Sequence, residues 1–143
     1  FQKKRFNMPD WLYQVRLKLS HELSEDLRED RPSKNADELR EIASEYNMNI
    51  VCTFDAFEAY CVEAELNGIQ SYPLYKWTKA VIQDPIKQQK HKKSFAFYLG
   101  LEQIYEKKIA LAVQEKLEAL KDKIDILDVN LIDSNPSKNP QPP

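Results

Sequence analysis

Glycine occurs only twice in 143 residues, at Gly68 and Gly100. Tight hairpins and phosphate-cradling loops both draw on glycine for backbone conformations with positive φ. A chain this poor in glycine is expected to consist largely of helices joined by polar turns, and a large all-β fold is disfavoured. A nucleotide-phosphate cradle is equally unfavoured. The sequence contains no Gly-x-Gly-x-x-Gly, no P-loop, no His-Glu-x-x-His and no Gly-x-Ser-x-Gly.

The length suits one ordinary core. Apolar residues make up 42% of the chain and charged residues 31%, a globular composition. No run approaches the roughly 18 apolar residues of a membrane span. The organisation expected is a basic arm over residues 1–8, one globular domain over 9–128 and a tail over 129–143. That tail is rich in Pro and Asn, offers little to repay ordering, and reads as disordered. The opening Phe1 fits a processed or trimmed start. Two cysteines, Cys52 and Cys61, cannot build a disulfide framework or a four-thiolate zinc site. They read as buried free thiols, with a redox pair as the alternative, and suit a reducing compartment such as the cytoplasm.

Helix signals recur along the chain. Asn35 reads as an N-cap with Glu38 three residues on, opening a helix whose apolar face is Leu39, Ile42, Ala43 and Tyr46. Asn47 closes it, because Asn tolerates the left-handed conformation. Asp55 reads as the next N-cap, ahead of the stripe Phe57, Cys61 and Ala64, with Gly68 as the stop. Ser71-Tyr72-Pro73 starts a helix carrying Leu74, Trp77 and Val81, a spacing that places Trp77 in the core. Asp84-Pro85 marks a boundary. Residues 101–127 read as the longest helix. In it Val113, Leu117, Leu120, Ile124 and Leu127 step by 4, 3, 4 and 3, the spacing of a seam against another helix.

Three stretches read better as strands. Trp11, Tyr13, Val15, Leu17 and Leu19 alternate with mostly polar neighbours. Residues 50–54 form a short apolar run between two helix caps. Residues 94–99 hold Phe95, Phe97 and Tyr98 ahead of Gly100. The fold expected is α+β (or α/β): a small sheet of about three short strands covered by helices, with a long C-terminal helix. An all-α bundle, with those three stretches helical, is the alternative.

Charge is unevenly placed although the net is only −2. Residues 21–45 hold nine acids against Arg28, Arg31, Lys34 and Arg40. Residues 76–93 hold Lys76, Lys79, Lys87, Lys90, Lys92 and Lys93 with His91 and a single acid, Asp84. Aromatic residues, Trp77 among them, lie close by in sequence. Lysine heads neutralise phosphates and aromatic faces stack on bases. Lysine lacks the planar fork of arginine, so nucleic-acid contact here would be salt-sensitive and weakly sequence-specific.

Asp55, at the carboxyl end of the expected strand with Glu58 one turn on, is the one candidate strand-end site. A helix cap explains Asp55 without chemistry. The stretch 39–47 followed by the helix from Asp55 echoes a helix-turn-helix. The second helix carries Asp55, Glu58, Glu63 and Glu65 and no base, which would repel phosphates.

The expected function is a non-enzymatic protein-interaction or adaptor domain, acting through its segregated charged faces and the C-terminal seam. Its expected partner is a protein, or a second copy through residues 101–127. A weakly sequence-specific nucleic-acid-binding protein using residues 76–93 is the alternative. Nothing in the sequence calls for a metal or cofactor.

Overall fold

A computed structural model of the chain describes residues 11–135. The basic arm expected over 1–8 and the last eight residues of the expected tail lie outside them. The elements run β1 (Tyr13–Leu19), α1 (His21–Arg28), α2 (Lys34–Glu45), β2 (Met48–Cys52), α3 (Thr53–Asn67), α4 (Tyr75–Gln83), α5 (Pro85–Lys92), β3 (Ser94–Leu99), α6 (Lys107–Leu120) and β4 (Ile126–Asp133). A short 3₁₀ turn at Ile69–Ser71 joins α3 to α4. The fold is α+β, and the all-α alternative is excluded by the sheet.

That sheet has four strands in the order β2-β3-β1-β4, every neighbouring pair antiparallel. The order arises because α1 and α2 carry the chain from β1 over to β2 and leave a gap that β3 fills later, a split β-α-β arrangement. Alternation puts Val15, Leu17 and Leu19 of β1 on one face, opposite Phe97 and Phe95 of β3 and Leu131, Val129 and Ile126 of β4. This face carries the main core. Leu23 of α1, Ala36, Leu39, Ile42 and Ala43 of α2, and Ala110, Val113 and Leu117 of α6 pack into the same cluster. Full burial of such side chains supplies about 1.5–3 kcal/mol each. A smaller buried group, Cys61, Ala64 and Val81, lies between α3 and α4.

The strands expected around residues 11–19, 50–54 and 94–99 are β1, β2 and β3, with β2 displaced to Met48–Cys52. Several boundaries need correcting. The α2 cap is Ser33, whose hydroxyl accepts from the Ala36 N–H at 3.1 Å, not Asn35. Asn47 does take a left-handed φ of 56° after α2. Helix α3 begins at Thr53 on a Cys52 N-cap, so Asp55 lies inside its first turn and caps nothing. There it still favours the positive end of the helix dipole. Helix α4 starts at Tyr75, beyond Pro73. Asp84 does cap α5, accepting from the N–H groups of Ile86 and Lys87, with Pro85 in the first helical position.

The C-terminal third differs most. The helix expected over 101–127 is confined to Lys107–Leu120, and residues 126–133 form the edge strand β4. Residues 129–133, expected in a disordered tail, are therefore part of the sheet. The seam does not face outward: Val113 and Leu117 are fully buried in the chain's own core. Leu127 is skipped where β4 bulges against Lys18 and Leu19, and it is 61% exposed. The helix-turn-helix echo fails as well, because β2 separates α2 from α3. Among the described residues no helix is long and apolar enough to cross a membrane.

Candidate functional site

The helices α3, α4 and α5 form one excursion between β2 and β3, and they carry the basic stretch. Lys76 and Lys79 lie on α4, Lys87, Lys90, His91 and Lys92 on α5, and Lys93 just after it. Lys76, Lys87 and Lys90 are exposed, while Lys79, Lys92 and Lys93 are half-buried. Lys79 donates to Glu65 Oε2 at 2.9 Å, and Tyr75 donates to the same oxygen at 2.7 Å. Lys92 holds its ammonium 5.0 Å from the centre of the Phe54 ring, a cation–π contact. Among the described residues, Lys79 is the one lysine of the six within 4.0 Å of a carboxylate.

The acidic stretch behaves differently. Arg31 reaches Glu25, Asp26 and Glu29, and Arg40 reaches Asp30 and Asp37. Two arginines thus neutralise much of the α1–α2 hairpin locally. Lysines on α4 and α5 have no comparable internal set of partners, so positive charge is left facing outward there.

Trp77 is not in the core; it is 39% exposed. Its ring meets Phe57 edge-on at 5.8 Å, and His91 meets Phe57 from another side at 5.2 Å. Phe57 on α3 therefore joins the aromatic residues of α4 and α5 into one row beside the lysines. Burial lowers the His91 pKa, and the charges of Lys90 and Lys87 lower it further. Phe57 was expected only as part of an apolar stripe, and helical spacing could not show that it bridges three helices.

Asp55 and Glu58 are not brought together as a reactive pair. Both Asp55 oxygens are taken by Arg28, whose Nη2 donates to Oδ1 at 2.9 Å and whose Nε donates to Oδ2 at 3.2 Å. That fork raises the Arg28 pKa above its ordinary value. Glu58 is exposed and, with Asp55, Ala59, Val62 and Leu66, lines an open groove along α3. The strand-end reading predicted neither this ion pair nor its partner from 27 positions earlier.

Cys52 and Cys61 are free and buried in separate places, Cys52 under α5 and Cys61 between α3 and α4. The Cys52 thiol faces the carbonyls of His91 at 3.6 Å and Lys92 at 3.8 Å. Desolvation raises its pKa, opposed by backbone N–H groups of Asp55 and Phe54. Among the described residues no group of three or more His, Cys, Asp or Glu side chains is placed to hold a metal.

Converging polar groups line several concave places among the described residues. Behind the sheet, Gln14, Arg16, Tyr98, Thr53 and Phe57 line a groove of about 110 Å³. There Arg16 Nε donates to Gln14 Oε1 at 2.6 Å, and Gln14 Nε2 donates to the Gln103 carbonyl at 2.8 Å. Between α1 and the end of α5, a cleft of about 90 Å³ is lined by His21, Ser24, Glu25, Arg28, Gln89, Lys92 and Lys93. Set against known proteins, the chain matches no family model, no curated protein and no solved structure.

Proposed function

We propose that this chain is a non-enzymatic interaction domain that docks an acidic protein segment on the basic surface of α4 and α5. The observation that carries the reading is the contrast in compensation. Arg31 and Arg40 of the acidic hairpin are held by its own carboxylates, whereas Lys76, Lys87, Lys90, Lys92 and Lys93 have none within 4.0 Å among the described residues. At physiological salt the screening length is about 8 Å, so a partner senses this local surface more than the net charge.

Exposed apolar side chains stand among the lysines. Ile86 is 83% exposed beside Lys87, and Trp77 adjoins Lys76. Positive heads around apolar anchors complement an amphipathic acidic helix, with the anchors supplying affinity and the charges orientation. The C-terminal seam has no part in this reading, because α6 spends its apolar face inside the domain.

The test uses a glutamate-rich amphipathic peptide and measures its affinity by calorimetry across a salt series. Binding that weakens with salt, and falls about tenfold or more in Lys87→Glu/Lys90→Glu, supports the proposal. No binding at low salt removes it.

The aromatic row supports a second reading, a weakly sequence-specific single-stranded nucleic-acid binder. Only Trp77 offers an open ring, since Phe57 and His91 are half-buried. Stacking proteins instead use several rings along the strand. A random-sequence single-stranded oligonucleotide that binds more tightly than the peptide, and loses affinity in Trp77→Ala, decides for nucleic acid.

A further inference from the structure

We infer that the cleft between α1 and the end of α5 is a binding site for one phosphate group, held by Lys92, Lys93, Arg28 and the hydroxyl of Ser24. Three cationic side chains line this single cleft of about 90 Å³. That space takes a few water molecules or one tetrahedral oxyanion. Two of the cations are held from the side. Arg28 is forked onto Asp55, and the Lys92 ammonium rests 5.0 Å from the Phe54 ring centre. Neither Asp55 nor Phe54 lines the cleft. Among the described residues, Lys92 and Lys93 have no carboxylate within 4.0 Å. The one acid in the wall, Glu25, lies 3.5 Å from His21 Nε2 and 3.6 Å from Arg31.

Ser24 supplies an independent observation. It is 2% exposed, and its hydroxyl is the single buried side-chain polar atom among the described residues without a hydrogen-bond partner. Buried hydroxyls are nearly always satisfied, so an orphan on a residue that lines a cationic cleft points to a missing acceptor. A phosphate oxygen accepts from hydroxyl and ammonium groups alike. The ligand class is therefore a phosphate dianion, free or as the monoester of a phosphorylated side chain. Lys92 and Lys93 also belong to the basic surface proposed above. The cleft does not rest on that reading, because Ser24 and Arg28 lie outside the peptide surface.

The experiment titrates the full chain with inorganic phosphate and, separately, with a short phosphoserine peptide and its unphosphorylated form. Heat of binding and thermal midpoint are read at constant ionic strength. Phosphate also raises midpoints generally by exclusion from protein surfaces, so the variants carry the decision. Saturable binding is expected, weakened about tenfold or more in Lys92→Gln/Lys93→Gln. Ser24→Ala should weaken phosphate binding while leaving the midpoint in chloride unchanged or higher, since it removes an unsatisfied buried group. Tighter binding of the phosphopeptide than of inorganic phosphate assigns a phosphorylated side chain; equal or weaker binding assigns the free anion. Absence of saturable binding to both, or equal binding by wild type and both variants, overturns the site. Loss of glutamate-peptide binding with phosphate binding intact would instead remove only the docking proposal.

Discussion

The hydroxyl of Tyr105 reaches Val15 across 90 positions of chain and accepts from its backbone N–H at 3.0 Å. The same oxygen donates to the Phe97 carbonyl at 2.7 Å. Val15 and Phe97 are partners in the pairing of β1 with β3, so a side chain completes the ladder at the centre of the sheet. Tyr105 is 3% exposed, and its own backbone pairs with Tyr13 in both directions. Tyr105→Phe keeps the ring and orphans one donor and one acceptor. We expect a loss of about 1–3 kcal/mol per orphaned group at most, read as a lower urea midpoint at neutral pH. An unchanged midpoint would show that the strands close without the hydroxyl.

The same residue gives the domain an alkaline limit. Burial pushes the Tyr105 pKa up to about 12, against about 10 for an exposed tyrosine. The folded state therefore holds the proton more tightly than the unfolded chain does. Its contribution is intact below about pH 10 and is lost as pH rises towards 12. Stability measured across that window should fall more steeply in the wild type than in Tyr105→Phe. Parallel curves would deny Tyr105 this role.

Arg28 and Asp55 join the end of α1 to the start of α3. Their side chains are 24% and 43% exposed, so solvent screening limits the net gain to about 1 kcal/mol. Asp55→Asn should be mildly destabilising, and a double-mutant cycle with Arg28→Gln should recover a coupling of that size. A coupling near zero would mean that the fork is idle.

Both thiols should resist reagents in the native state. Cys52 is 6% exposed and Cys61 2%, and desolvation raises the pKa of each. A thiol-disulfide reagent at neutral pH should label neither at an appreciable rate, and both once urea unfolds the chain. Rapid labelling of the folded protein would mean that α5 lifts off β2 readily.

On α6, Leu117→Ala should cost about 2–5 kcal/mol by leaving a cavity in the main core. Leu127→Lys should change stability by less than about 0.5 kcal/mol, because that side chain projects into solvent. Comparable losses at both positions, seen by thermal unfolding, would revive one continuous helical seam through residue 127.

Local chemistry made much of this architecture legible. Alternation around Val15, Leu17 and Leu19 gave the central strand, Phe95 and Phe97 its neighbour, and Asp84-Pro85 the α4–α5 boundary. The last strand was missed for a specific reason. Val113, Leu117 and Leu120 set a helical period that Ile124 and Leu127 continue by coincidence, while a bulge at Leu127 blurs the alternation of β4. Strand pairing there is decided by the exposed edge of β1, which no local window contains. The basic stretch was visible as composition. Its joining to Phe57, and the convergence of Ser24, Arg28, Lys92 and Lys93 on one cleft, depend on how α3 and α5 return to the sheet.

The position of β1 inside the sheet has a consequence for synthesis. Its two hydrogen-bonding edges are filled only by chain that follows much later, up to Tyr105 on one side and Asp133 on the other. At roughly 5–20 residues per second, the ribosome takes about 5–20 s to make the stretch from Val15 to Tyr105. During that interval β1 keeps both edges unpaired, the condition in which an apolar strand is most open to pairing with another chain.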